Sequence, residues 1–497
     1  MNERNRWQES RPYLVAVGLL IGLCLGAWAL MGLQPFVRTT LSGLTLGALY
    51  FMVAAGLTLI FGLMDVLNFA HGAMFMVGAY AGWQFYTNPT FLFGLAPLIL
   101  ALTAGLAAAP LLQAKTVQWR IPKRWQADVQ RALVLLGIAV LVIAVAGLNV
   151  LGLADTAMVA ITVGSNPLAE ASSQEPLARF WLRPLLMWIA GLLLALAQAR
   201  PGDDTQVVDR QAGRRALVTI GALLVLTVVA SLVREPAALS VLKMNGDLRF
   251  FLSLAVGALV GAGLGGVIEV SLIRPLYVRP QFLILLTLGL AFVLKEMVQV
   301  LWDPLAYQMS RPPLFSQPGK AANLLAWFSG HNTTIDILGV TFPSYRLFIV
   351  VLGVAMLIGL GLIMKYSRLG MIIRAGVQDR EMVEALGINV RRVFTLVFAL
   401  GAGLAALGGI GAAPFMPVEP VMGDRFLMQG FITVVLGGMG SYTGAAIGAL
   451  LLGLARAFGD YLALKYSLSP GISEASTVII MAIVLLVRPS GLLGKKE

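Results

Sequence analysis

The chain has 497 residues, of which 58% are hydrophobic and only 12% are charged, whereas soluble domains carry about 25% charged residues. Such a composition cannot cover a water-exposed surface, so a soluble domain is excluded. The net charge of +12 does not indicate a nucleic-acid partner, because the basic residues lie in short loops between apolar stretches, as membrane orientation requires. The single cysteine, Cys24, lies in an apolar run, which excludes a disulfide framework and a cysteine-based metal site.

Apolar stretches long enough to cross a bilayer follow one another along the whole chain. A spanning helix needs roughly 20 mostly apolar residues. The candidate spans are residues 13–33, 39–64, 67–87, 91–112, 132–154, 180–199, 216–233, 250–272, 281–302, 347–364, 393–413 and 472–487. Residues 426–464 are long enough for two more spans or for re-entrant pieces. The sequence therefore predicts an all-α, polytopic transmembrane helix bundle of about 12–14 spans, in which 13–31 is a retained first helix and not a cleaved signal.

The distribution of basic residues predicts the orientation of these spans. Segments 112–131 and 365–392 and the end of the chain are rich in Lys and Arg, whereas the long polar segment 303–345 has only Arg311 and Lys320. Short loops rich in Lys and Arg stay in the cytoplasm. Both termini and 365–392 are therefore expected in the cytoplasm, and 303–345 in the periplasm.

Small residues recur at a spacing of four in several spans. The pairs and triplets are Gly43/Gly47, Gly78/Gly82, Gly257/Gly261/Gly265 and Gly444/Gly448. In lipid, such residues let helix backbones approach closely. The pattern G-x-G-x-x-G at 261–266 does not indicate a dinucleotide site, because no strand precedes it.

The sequence carries no pattern of a catalytic or nucleotide-binding site. No G-x-x-x-x-G-K-[ST] loop occurs, so the chain has no phosphate-cradling ATPase site of its own. Only two histidines exist, which excludes His-rich metal sites. Clustered acids, bases and nucleophiles at membrane depth are also missing, so we expect neither an enzyme nor a bound metal.

Residues 65–72 (DVLNFAHG) form the densest polar group within the apolar stretches. Polar residues are costly in a membrane and usually face a cavity, so Asn68, His71 and Gly72 are candidates for a translocation pathway. The alternative is a short cytoplasmic turn between two spans, and a polar turn that dips into a pore satisfies both interpretations. We expect few full charges in the pathway, since unpaired buried charges are costly.

Charged residues also mark the ends of two later spans. Glu269 and Arg274 are interpreted as a helix-end ion pair that anchors the span at the interface, with a substrate contact as the alternative. For Lys295 and Glu296 the same two alternatives are open, an anchor at the membrane interface or a contact with the substrate.

Residues 376–388 predict a short amphipathic helix in the basic segment 365–392. Its residues favour a helix, and Gly387 is a typical helix stop. Met382 and Leu386 provide an apolar side, with Val383 as an optional third member. Such a helix can dock into a groove of a partner protein; an ordinary loop helix is the alternative.

Several segments together resemble the LivH-type permease of branched-chain amino-acid ABC transporters (the LivH/LivM family). They are residues 43–50 (GLTLGALY), 64–72 (MDVLNFAHG), 268–275 (IEVSLIRP), 374–388 (RAGVQDREMVEALGI), 435–440 (VLGGMG) with Gly444, and 488–494 (RPSGLLG). The resemblance covers about 39–103 and 250–497, and the combination of NFAHG with 374–388 is fairly specific.

The resemblance implies a multi-pass permease of the bacterial inner membrane that binds no cofactor itself. Its partners would be a second permease (LivM type, or a second copy in a homodimer), two ATP-binding cassette subunits that use the ATP, and a periplasmic substrate-binding protein. The segment 379–387 corresponds to the family's loop that contacts an ATPase. The implied coupling residues are Asp379, Glu381, Ala385 and Gly387.

The resemblance also divides the chain. Residues 1–36 would be an extra N-terminal helix, 37–103 and 250–497 the permease core, and 104–249 an insertion of additional helices. The implied substrate is leucine, isoleucine or valine, and urea or a short-chain amide is the alternative within the same family branch. An ion-coupled secondary carrier is the alternative from another class, but it would need buried carboxylates in mid-span, and these are nearly absent.

Overall fold

The computed structural model describes residues 3–64, 67–116, 122–145, 177–199, 210–277, 279–378, 380–469 and 471–494. Within these ranges ten helical stretches are long and apolar enough to cross a membrane by their length and composition. The shorter apolar helices Val15–Leu30 and Gly471–Val487 add to them. The predicted all-α, polytopic bundle is confirmed, and the chain is a multi-pass membrane protein.

Each apolar run forms a helix because lipid offers no other partner for its backbone N–H and C=O groups. In the first half of the chain the helices are α1 (Glu3–Leu30), α2 (Leu33–Met64), α3 (His71–Thr87), α4 (Thr90–Leu106), α5 (Ala109–Thr116), α6 (Lys123–Val145), α7 (Leu177–Gln198) and α8 (Arg210–Leu242). In the second half they are α9 (Gly246–Ile268), α10 (Pro280–Trp302), α11 (Leu324–Gly330), α12 (Ser344–Tyr366), α13 (Arg368–Gln378), α14 (Arg380–Ala385), α15 (Val390–Ala412), α16 (Met422–Gly437), α17 (Tyr442–Lys465) and α18 (Gly471–Val487). A π-helical turn (Glu269–Ile273) and a 3₁₀ turn (Arg274–Leu276) extend α9.

Two of the buried helices are too short to cross the full hydrocarbon thickness. Helix α3 has 17 residues and α16 has 16, which corresponds to about 24–25 Å of helix, against a hydrocarbon core of about 30 Å. The stretch 426–464, for which the sequence left two alternatives, therefore consists of the short helix α16 and the 24-residue helix α17.

The chain folds into two compact units. The core unit comprises Met1–Trp83 and Gly246–Glu497, and the middle unit comprises Gln84–Asn245. In the middle unit α4 packs against α7 and α8, and α6 packs against α7. The boundaries predicted at residues 36, 103 and 249 follow from the resemblance to the permease family. Helix packing does not test them, so they stay predictions.

Small residues set the helix spacing in the core unit, as their spacing in the sequence predicted. A Cβ atom built at Gly261 of α9 would lie 2.2 Å from the Cβ of Ala406 in α15, and one at Gly78 of α3 would lie 2.4 Å from the Cα of the same Ala406. On the other side of the unit, a Cβ at Gly47 of α2 would lie 2.9 Å from the carbonyl oxygen of Ala449 in α17. Van der Waals contact between backbones therefore holds these helices together.

We expect Gly261→Leu to disrupt the core unit and Gly263→Leu on the same helix to be tolerated. A side chain at 261 would overlap Ala406, whereas a Cβ at Gly263 has no atom within 4 Å. Overpacking costs about 1–3 kcal/mol or more where backbones cannot separate. The measurement is the yield of monodisperse protein after detergent extraction, with its thermal stability. Equal yield and stability of the two variants would show that the α9–α15 crossing adapts easily.

A small three-stranded sheet, which the sequence analysis did not predict, lies between α10 and α12. Strand β1 (Gln317–Ala321) pairs in parallel with β2 (Asn332–Ile337), and β2 pairs antiparallel with β3 (Val340–Pro343). An ion pair between Lys320 and Asp336 joins β1 to β2, and the ammonium of Lys320 holds the pKa of the Asp336 carboxyl below its ordinary value. The alternation of polar and apolar residues in 334–337 (TIDI) was the signal available for this strand.

Candidate functional site: a buried polar turn and an exposed basic segment

The described part of the polar group, residues 67–72, forms a turn and the start of α3 beside the middle of α2. His71, the first residue of α3, donates from Nε2 to the carbonyl oxygen of Val53 at 3.1 Å. Val53 lies about 16 Å of helix before the end of α2 at Met64. After α2 ends, the chain therefore turns back into the bundle before α3 starts. Asp65 lies outside the described residues.

Hydrogen bonds tie this turn to itself and to α10. The side-chain oxygen Oδ1 of Asn68 accepts the amide of Ala70 at 3.0 Å, as in an Asx turn. The amide of Phe69 donates to Oγ1 of Thr287 in α10 at 3.2 Å. Asn68, His71 and Thr287 are all completely buried. Thr287 is a site residue that the sequence analysis missed, since a lone threonine in an apolar helix carries no signal.

Two polar atoms of the turn have no hydrogen-bond partner among the described residues. They are Nδ2 of Asn68, a donor, and Nδ1 of His71, which is an acceptor in the neutral ring because Nε2 carries the proton. A buried polar atom without a partner costs about 1–3 kcal/mol. The turn therefore offers one donor and one acceptor that a water molecule or a polar ligand can satisfy.

Gly72, the third pathway candidate, is in tight contact with α16. A Cβ atom at Gly72 would lie 2.3 Å from the carbonyl oxygen of Gly423 and 2.7 Å from the Cβ of Leu427. In this structure Gly72 therefore serves close packing, and its place in a pathway stays a prediction.

We expect Asn68→Ala to destabilise the core unit by about 1–3 kcal/mol, because the buried amide of Ala70 would lose its acceptor. Asn323→Ala is the matched control. Oδ1 of Asn323 also accepts a hydrogen bond, from the amide of Ala326 at 2.8 Å. Because Asn323 is exposed, water can replace the acceptor that this variant loses. Thermal unfolding in detergent measures both. An unchanged midpoint for Asn68→Ala would contradict the predicted role of this acceptor.

The predicted coupling helix 376–388 is helical on both sides of residue 379, which lies outside the described residues. Helix α13 ends at Gln378 and α14 runs from Arg380 to Ala385. Gly387 has a φ of 80°; its amide donates to the carbonyl of Glu384 at 3.0 Å, and the amide of Ile388 donates to that of Val383 at 3.3 Å. This pair of bonds is a Schellman motif, which requires a left-handed residue at this position. Gly387 therefore ends the helix as predicted.

The apolar residues of α14 lie on two different sides. Val383 is only 3% exposed, whereas Met382 is 58% and Leu386 71% exposed; Ala385 is exposed as well. Val383 therefore anchors α14 to the core unit, and the exposed face consists of Met382, Ala385 and Leu386. Asp379 lies outside the described residues, as does the side chain of Glu381.

A basic cavity of about 1180 Å³ adjoins α13. Lys365 and Arg374 line it together with Ser441 and Ser490, and none of its described lining residues is acidic. Its wall contains two segments that the sequence analysis had noted separately, 435–440 and 488–494. They pair through two backbone bonds of 2.9 Å, from Leu492 to Leu436 and from Leu493 to Gly437.

Glu269 and Arg274 form an ion pair within a larger network. The side chain of Glu269 is completely buried and lies 3.0 Å from the Arg274 guanidinium. Tyr277 donates its hydroxyl to Glu269 at 2.5 Å. Thr395 of α15 also donates to Glu269, at 2.6 Å, and accepts from Arg274 at the same distance. The network joins the π-helical end of α9 to the first turns of α15, which follow α14 in the chain.

A second ion pair joins two helices that are far apart in sequence. Nζ of Lys295 in α10 lies 2.8 Å from Oδ2 of Asp424 in α16. Arg425, the next residue, lies 2.6 Å from Glu419. The sequence analysis noted Lys295 but missed Asp424 and Arg425, although two adjacent charges in an apolar stretch were a usable signal.

Comparison with known proteins identifies a match over more than half of the chain. The sequence profile of the family described as "branched-chain amino acid transport system / permease component" matches residues 212–488. The permease protein LivH of the high-affinity branched-chain amino acid transport system of Escherichia coli K12 is 35% identical over 173 residues, which cover 34% of this chain and 53% of LivH. The corresponding BraD of Pseudomonas aeruginosa is 31% identical over 267 residues, 52% of this chain and 81% of BraD.

More distant relatives include permeases with other names. The ribose import permease protein RbsC of Escherichia coli K12 is 26% identical over 284 residues, 54% of this chain and 74% of RbsC. The chain spans about half the length of the Escherichia coli LivH. No solved structure shows a significant match.

Proposed function

Because the chain belongs to the family of branched-chain amino acid transport system permease components, we propose that it is the permease subunit of an ATP-driven importer of branched-chain amino acids in the inner membrane. The family match covers residues 212–488. This range contains the described parts of α9–α17, and with them the exposed segment α13–α14 and the network around Glu269. This match is the observation that carries the proposal. A permease of this kind is a transport subunit and not an enzyme, and separate subunits hydrolyse the ATP.

The buried turn at Asn68 and His71 supports a role in the translocation pathway. It combines non-helical backbone with unsatisfied polar atoms at the depth of the middle of α2, and such backbone is tolerated at membrane depth only inside protein or beside a water-filled cavity. In this proposal the two unpaired atoms contact water or the passing amino acid when the bundle opens.

The exposed face of α14 supports a coupling role. Met382, Ala385 and Leu386 are exposed on a short helix whose inner side is anchored by Val383. An ATPase groove that clasps this face can move α15, which α14 contacts. In this proposal the complete importer contains two ATPases, a second permease of the LivM type or a second copy of this chain, and a periplasmic binding protein.

Reconstitution tests the proposed function. The complete complex in proteoliposomes, with ATP on the ATPase side and the binding protein on the other, should accumulate radiolabelled leucine. Unlabelled isoleucine and valine should compete with it. Accumulation driven by an ion gradient without ATP would instead show an ion-coupled carrier, and competition by urea but not by valine would show the amide branch of the family.

A second candidate substrate follows from the more distant matches. The ribose permease RbsC is 26% identical to this chain, so a monosaccharide is the substrate to compare with leucine. Competition by ribose and none by valine would replace the proposed substrate class while leaving the permease role intact.

We expect position 380 to be cytoplasmic and position 329 to be periplasmic, as the basic loops predict. Cys24 is the only cysteine, so Cys24→Ser provides a cysteine-free background for Arg380→Cys and Ser329→Cys. In intact cells an impermeant maleimide should label 329, whose residue is exposed, and should label 380 only after permeabilisation. Labelling of 380 from outside would reverse the orientation.

A further inference from the structure

Charged side chains are exposed where α10 and α16 meet. Lys295 of α10 pairs with Asp424 of α16 at 2.8 Å, and the side chain of Asp424 is 60% exposed. Arg425 pairs with Glu419 at 2.6 Å and is 62% exposed. On α10, Glu296 is exposed as well and accepts a hydrogen bond from Gln299. Both helices are otherwise apolar, so this group of charges needs an explanation.

The group lies well before the end of α10, a helix long and apolar enough to cross a membrane. Lys295 is about 10 Å of helix before the end of α10 at Trp302. Because Asp424 is in the first turn of α16 and contacts Lys295, α16 starts at the same depth. The preceding non-helical residues are held by Tyr307, whose backbone pairs with that of Val418 through two bonds of 2.9 Å. Charged side chains at such depth face a water-filled cavity or another protein and not lipid.

The arrangement complements a zwitterion with an aliphatic side chain. Lys295 and Arg425 are cations that can pair with an α-carboxylate, and Asp424, which contacts Lys295 and precedes Arg425 in the chain, is an anion for an α-ammonium group. Met428, one helical turn beyond Asp424, is 62% exposed and provides an apolar surface beside the charges. A zwitterion inserted between Lys295 and Asp424 pairs its carboxylate with the lysine and its ammonium with the aspartate, while Arg425 keeps its partner Glu419, so no charge is left unpaired.

We propose that Lys295, Asp424 and Arg425 form an outward-facing binding site at which the importer receives the α-carboxylate and α-ammonium of its amino acid. The inference rests on the proposed function and adds the residues that would recognise the zwitterion. It departs from the expectation that the pathway contains few full charges, because the charges here are mutually paired.

Asp424→Asn and Lys295→Met in the reconstituted complex test the site. The leucine concentration for half-maximal uptake should rise about ten-fold or more, since a hydrogen bond to a charged group is lost. Asp424→Glu should restore most of the affinity. The matched controls are Asp336→Asn and Lys320→Met, which remove the exposed pair on the sheet and should leave uptake unchanged.

Crosslinking with a diazirine analogue of leucine provides the second measurement. Labelled peptides should come from residues 292–300 and 422–430, and excess leucine should prevent the labelling. Unchanged half-saturation in Asp424→Asn, or labelling only elsewhere, would overturn the site. Loss of the second permease from the purified variant would also overturn it and assign these charges to a subunit contact. If the wild-type complex imports no leucine at all, the proposed function fails first, so the two failures are distinguishable.

Discussion

Ala385→Asp and Gly387→Arg are expected to abolish ATP-driven uptake while the protein stays folded in the membrane. Ala385 is exposed on α14, so a carboxylate there would be buried unpaired in the proposed ATPase contact. Gly387 has a φ of 80°, where any Cβ costs roughly 1 kcal/mol or more, and a long cationic side chain would displace the partner. Uptake and co-purification of the ATPases should both be lost.

The matched control for this prediction is Gly339→Arg. Gly339 also has a φ of 80°, and a Cβ there has no atom within 4 Å, as at Gly387, but it lies in the turn between β2 and β3. The backbone strain is therefore the same at the two positions. If Gly387→Arg keeps both uptake and ATPase binding, or if Gly339→Arg loses uptake equally, α14 is an ordinary loop helix.

Arg274→Met is expected to be the most destabilising single change in the network around Glu269. It would leave the completely buried carboxylate of Glu269 without its cation, which costs about 3–5 kcal/mol when one partner of a buried pair is removed. The measurement is unfolding of the purified protein in mixed micelles. The double variant Glu269→Gln/Arg274→Met should recover most of the loss, because no charge then remains unpaired.

Arg131→Met serves as the control for an exposed ion pair. Arg131 and Asp128 are 3.5 Å apart and their side chains are 77% and 61% exposed, so the expected effect is below about 1 kcal/mol. Equal losses for Arg274→Met and Arg131→Met would mean that the buried carboxylate of Glu269 does not depend on Arg274 as its partner. The network would then not hold α9 to α15.

The resemblance to LivH-type permeases, inferred from short motifs, is confirmed by the family match over 212–488. Those motifs gain a physical meaning in the structure. Segments 435–440 and 488–494 bond to each other, and the turn at 68–72 contacts α2 and α10. A motif search detects each segment separately, because local sequence does not encode which distant segment it will contact.

The sequence alone determined the properties that depend on composition and local spacing. The apolar runs predicted the polytopic bundle, since lipid leaves an apolar backbone no alternative to the helix. The glycine spacing predicted the close helix crossings, and Gly387 predicted the end of α14, because both follow from the absence of a Cβ atom.

Only the tertiary structure decided which polar residues meet and at what depth. The sequence left Asn68 open between a turn and a pathway. The bond from His71 to Val53 shows that the turn lies beside the middle of α2, and its place in a pathway stays a prediction. Val383 was only an optional member of the apolar side predicted for α14, and it is buried. Asp424 was not predicted, and its pairing with Lys295 became visible only in the structure. The physical reason is that a charge or amide in lipid is stabilised by a specific partner, and that partner is chosen by helix packing across long distances in the chain.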